Sequence, residues 1–92
     1  MEYNSFLLQT TVVLHDNEYS EYELNMIYNF ITLVDDDIIV DYKHSNTIPD
    51  YKNDLELFID IVDKLIKIFE RTEEYDKCLL LKNKKEESMK IF

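Results

Sequence analysis

Between Asp54 and Arg71 the apolar residues recur on one helical face, with Leu55, Phe58, Val62, Leu65 and Phe69 stepping by 3, 4, 3 and 4. Leu57, Ile59, Ile61, Ile66 and Ile68 widen that seam well beyond a coiled-coil stripe. A polar stripe remains at Glu56, Asp60, Asp63, Lys64, Lys67, Glu70 and Arg71. Within it, Asp60–Lys64 and Asp63–Lys67 stand as acid-first i,i+4 pairs, each worth about 0.2–0.5 kcal/mol. A chain built on such a segment has a helix at its centre. With Pro49 opening the element, that helix is predicted over about 51–71.

Thr72–Asp76 is a tight connection, and a last helix is predicted over about 74–90. Its apolar residues come early, at Cys78, Leu79, Leu80 and Leu81, ahead of the charged stretch Lys82–Glu87. So short a connection allows only an antiparallel hairpin. Within residues 54–90, Glu73-Glu74-Tyr75-Asp76-Lys77-Cys78-Leu79-Leu80-Leu81-Lys82-Asn83 resembles the second half of the UVR motif. That motif is the helical hairpin through which nucleotide-excision-repair subunits associate with other proteins. The resemblance rests on acid-aromatic-acid, a small residue, Leu and a basic-polar pair. The family prefers Ala where Cys78 and Leu79 stand, and Arg-Asp where Lys82-Asn83 stands. The resemblance implies a hairpin that dimerises or docks onto a partner.

Upstream, Ser20-Glu21-Tyr22-Glu23 is a capping box, followed at helical spacing by Leu24, Ile27, Ile31 and Val34. A helix is predicted over 21–34, stopped by Asp35, Asp36 and Asp37, whose carboxylates would oppose the negative end of its dipole. Ile38, Val40 and Tyr42 alternate with Ile39, Asp41 and Lys43, the pattern of a short strand over 38–43. Residues 6–14 are rich in β-branched types, and Phe6, Leu8, Thr10, Val12 and Leu14 would share one face of a strand. A short helix is the competing assignment there. The expected fold is therefore α+β and mainly helical, in a single domain over 1–92.

Charge divides the chain. Residues 1–63 hold fourteen acids against Lys43 and Lys52, a net of −12, whereas 64–92 hold six acids and eight bases, a net of +2. The acidic part disfavours direct nucleic-acid binding, which needs Lys and Arg against phosphates, and it disfavours anionic membranes. A basic protein surface is the partner it favours. No apolar stretch approaches the roughly 20 residues that span a bilayer. The opening Met-Glu-Tyr-Asn shows no leader pattern and the lone Cys78 has no partner in the chain, so the expected compartment is cytoplasmic. There is no Gly, Ala or Trp, while Ile, Asn, Lys, Tyr, Phe and Asp abound. AT-rich codons write these residues, which suits a virus or mobile element, with the host cytoplasm then the setting.

The same absences bear on chemistry. A phosphate-cradling loop and a nucleophile elbow both need glycine for positive φ or close backbone approach. Cys78 sits in a Cys-Leu-Leu-Leu run, where a buried thiol is expected in place of a nucleophile paired with His15 or His44. Neither histidine has a second His or Cys at ligand spacing, although Asp16 and Asp41 lie near them. Asp35, Asp37 and Asp41 echo a calcium loop, but the central Gly is missing and Asn46 stands at the twelfth position. No enzyme, metal or cofactor is expected.

What remains is the acidic surface. Asp16, Glu18, Glu21, Glu23, Asp35, Asp36, Asp37 and Asp41, joined by Asp50 and Asp54, could form an anionic face that imitates nucleic-acid phosphates. Tyr19, Tyr22 and Tyr42 would supply apolar anchors. The expected function is a non-catalytic inhibitor that masks the basic surface of a nucleic-acid-handling host protein. Alternatively the acids only solvate the chain, and the 54–92 hairpin is an adaptor or a homodimer interface.

Overall fold

A computed structural model describes residues 3–16, 19–46 and 50–90. Within them the chain forms five helices: α1 (Tyr3–Asp16), α2 (Glu21–Leu33), α3 (Asp36–His44), α4 (Asp54–Arg71) and α5 (Tyr75–Met89). No strand occurs among the described residues. α4 is the axis of the packing, with α1, α3 and α5 against it and α2 lying on α5. All five seam residues are buried, and so are Leu57, Ile61 and Ile66. The wide apolar circumference of α4 is thus covered from several sides. Its start is fixed at Asn53, whose side chain accepts the Glu56 N–H at 3.0 Å, so the helix begins at Asp54 and not at 51.

The hairpin is antiparallel, as the pairings Asp63–Lys85 (2.8 Å) and Glu70–Lys82 (3.8 Å) require. Asp63 therefore reaches across the hairpin, and the expected i,i+4 pair with Lys67 does not form; Asp60–Lys64 does, at 3.2 Å. The turn is a Schellman motif: Glu74 N–H donates to Phe69 O (2.9 Å) and Glu73 N–H to Glu70 O (3.2 Å). Its left-handed position is held by Glu73 at φ 60°, where glycine would be unstrained.

Both expected strands are helices. A strand over 6–14 would align Phe6, Leu8, Thr10, Val12 and Leu14, but the core takes Phe6, Leu7, Thr10 and Leu14 and leaves Val12 56% exposed. That is helical spacing. The Thr11 hydroxyl donates to Leu7 O at 2.9 Å, which satisfies a β-branched polar side chain inside the helix. Over 38–43, α3 buries Ile39 and Tyr42 and exposes Val40. Asp35, expected as part of a stop signal, caps α3 by accepting Ile38 N–H at 3.1 Å. Asp36 and Asp37 occupy the first turn of α3 and Lys43 its last, so each charge favours its dipole.

Candidate partner-binding surface

α2 is held on three sides. The Ser20–Glu23 capping box starts it, and Leu24, Ile27 and Ile31 face the core. On one flank Phe30 stacks on Phe6 of α1, with ring centroids 3.7 Å apart. On the other flank Tyr28 meets Phe69 edge-on at 5.6 Å, and Lys77 donates to Asn25 at 2.9 Å while lying over both rings. The fourth side is open. It carries Tyr22 (76% exposed), Met26 (49%), Asn29 and Leu33 (81%), stepping by 4, 3 and 4 along an outward ridge. Tyr22 was expected at the surface. Met26 and Leu33 escape a search that assigns each helix a single apolar face, although their spacing is visible once a second face is sought.

Acids stand at both ends of this ridge. Glu21 is exposed at the start of α2, beside Glu23, whose carboxylate accepts the Ser20 N–H. Asp35, Asp36 and Asp37 are exposed beyond its end, and Asp41 follows Asp37 by one turn on α3. Thirteen residues make α2 about 20 Å long, so the acids form two groups and not one continuous face. An open hollow at the second group is lined by Leu33, Asp35, Asp36, Asp37, Lys84 and Glu87. There the Lys84 ammonium donates to the Val34 carbonyl, placing a cation at the C-terminal end of α2.

The other expected contact residues are placed differently. Tyr42 is 1% exposed and packs 5.7 Å from Phe58, so it belongs to the core and not to the surface. Tyr19 is half-buried against the core. Asp16 closes α1, and Glu18 lies outside the described residues. Asp50 is exposed, but Asp54 is buried in the first turn of α4, where its amide donates to Ser45 O at 2.7 Å.

The four lysines of α5 meet partners within the fold. Lys77 pairs with Glu74 at 3.0 Å, and Lys82, Lys84 and Lys85 reach Glu70, Val34 O and Asp63. Lys67, Arg71 and Lys90 remain exposed, while the charged residues of α2 are acids alone. Elsewhere, the buried Cys78 thiol lies 3.5 Å from the Ile66 carbonyl, and burial pushes its pKa up, away from a reactive thiolate. Tyr51 donates to Asp60 at 2.7 Å, and that hydrogen bond, with desolvation and the nearby Asp60 and Asp50 charges, pushes its pKa up to about 12. Among the described residues no three His, Cys, Asp or Glu side chains are placed to hold a metal ion. No helix among them is long and apolar enough to cross a membrane.

No family model, curated protein or solved structure matches the chain. The likeness of 54–90 to the UVR hairpin accordingly stops at two antiparallel helices joined by a short turn.

Proposed function

We propose that this is a non-catalytic interaction protein that occupies the basic surface of a nucleic-acid-binding partner, in the manner of an inhibitor encoded by a virus or mobile element. The observation that carries this reading is an exposed apolar ridge, Tyr22, Met26 and Leu33, bracketed by Glu21 and Glu23 at one end and Asp35, Asp36 and Asp37 at the other. Exposed carboxylates steer a basic surface toward the ridge over about a Debye length, 8–10 Å at physiological salt. The apolar side chains then supply desolvated contact where binding energy concentrates. Partner lysines and arginines that would hold phosphates are thereby occupied.

The test is capture of partners by the tagged chain at about 50 mM and about 500 mM salt, beside an Asp36→Asn/Asp37→Asn/Asp41→Asn variant. Support is a nucleic-acid-binding protein that high salt or duplex DNA releases and the variant fails to hold. A partner retained equally by the variant at both salts would contradict the proposal.

One feature favours a second reading. α5 exposes Tyr75, Leu79 and Leu80, and Glu70, Tyr75, Cys78, Leu79 and Lys82 line a hollow beside them. A hairpin adaptor or homodimer would use that face, and Leu80→Asn would then abolish binding or halve the mass in light scattering while the triple Asn variant left both unchanged.

A further inference from the structure

We infer that the element of the partner that lies along α2 is a basic amphipathic helix, with its apolar seam on Tyr22, Met26 and Leu33 and with Lys or Arg near both of its ends. This rests on the reading that the acid-bracketed ridge is the working surface. The ridge has the periodicity of a helix contact: residues 22, 26, 29 and 33 step by 4, 3 and 4, the spacing with which one helix meets another along its length. Asn29 interrupts the apolar row at a single exposed position.

The charges then select the occupant. A second copy of α2 laid parallel would set Glu21 and Glu23 against the same two residues, and Asp35–Asp37 against themselves. Laid antiparallel, it would set Glu21 and Glu23 against Asp35–Asp37. Either arrangement places carboxylates together at both ends of the contact, so the ridge opposes pairing with itself. Nucleic acid and anionic lipid are repelled by the same groups. Lys84, which lines the hollow with the second acid group, points its ammonium at the Val34 carbonyl and is partly buried. A helix with an apolar stripe and basic ends meets every one of these conditions. Acid groups about 20 Å apart imply an occupant of about four turns.

Two synthetic peptides of about 18 residues, identical in Leu, Lys and Gln content, test this. In one the leucines follow helical spacing with lysines at both ends; in the other the same residues are reordered so that no face is apolar. Each is titrated into the intact 92-residue chain by calorimetry. The seamed peptide is expected to bind at least about tenfold more tightly than the reordered one. Leu33→Asn and Met26→Lys, each checked for folding by circular dichroism, should weaken it about tenfold, while Leu80→Asn on α5 leaves it unchanged. Equal affinity for both peptides would overturn the helical occupant yet leave an acidic binding surface standing. Binding of neither peptide at about 50 mM salt would remove both the occupant and the surface. Undiminished binding by both ridge variants would move the contact off α2. A dimer of the free chain that Leu33→Asn dissociates would make a second copy the occupant and refute the inference.

Discussion

α4 and α2 are both apolar around much of their circumference, but α4 has every apolar residue buried or half-buried, whereas α2 leaves a row of them exposed. In α4 the residues outside the main seam, Leu57, Ile61 and Ile66, are buried under neighbouring helices, and its ends are tied by the Asn53 cap and the Glu73 turn. In α2 the inner face, Leu24, Ile27 and Ile31, is buried just as thoroughly, but Tyr22, Met26 and Leu33 on the opposite side face solvent. Scattered surface apolar residues need no explanation, whereas an aligned row on one face does. The charges differ as well. α4 mixes acids with Lys64 and Lys67, while α2 carries Glu21 and Glu23, no base, and three aspartates just beyond its end. The first helix organises the fold, and the second leaves an apolar row on the surface.

The largest effect should separate the two helices directly. Leu65→Asp places an unpaired carboxylate in the core and should cost more than about 4 kcal/mol, most of the stability of a small domain near the low end of about 5–15. Met26→Lys, on the outer ridge, should change stability by less than about 0.5 kcal/mol. Urea denaturation of both variants checks the contrast, and an unfolded Met26→Lys protein would mean that the ridge is part of the core.

Smaller effects sharpen the account of α4 and its surroundings. Tyr51→Phe removes the hydrogen bond to Asp60 and should cost about 1 kcal/mol at neutral pH. Because the folded-state pKa of Tyr51 lies above its ordinary value, the stabilisation is complete below pH 10.0 and fades as pH rises toward about 12. Thermal melts across that window should show the parent chain losing its advantage over Tyr51→Phe. Glu73→Gly should act in the opposite direction. Relieving the left-handed strain at the Schellman position should raise stability by about 0.5–1 kcal/mol, a few degrees in Tm for a domain of this size.

α4 and α2 are legible because their apolar residues fit only the helical period, and α2 also carries the Ser20–Glu23 capping box. α5, with no side-chain cap and a consecutive Cys78–Leu81 run, follows from the short connection after α4. α1 and α3 are not so legible. Phe6, Thr10 and Leu14 share a face in a strand and in a helix alike, so the decision fell to Leu7 against Leu8, and the β-branched run from Thr10 to Val13 tipped it wrongly. For α3 the helical signals are complete in the sequence, with acids first and Lys43 and His44 last, but Asp35–Asp37 read equally well as a stop for α2. One cluster was adjacent to two helix termini, and only the Ile38 N–H reaching Asp35 decides which it serves. The acidic character of the surface was visible in composition. The ridge between the acid groups was not, because it needs two apolar faces on one helix.

On the proposed reading, a basic partner makes contact at the outer face of α2, with the acids at its two ends. Amide chemical-shift mapping tests it most directly: the isotope-labelled chain is titrated with the helix-patterned basic peptide, and each backbone amide is followed. Perturbations are expected to concentrate at residues 21–37 and at Asp41, and to diminish at about 500 mM salt. Perturbations centred on Tyr75, Leu79 and Leu80, with α2 silent, would contradict it.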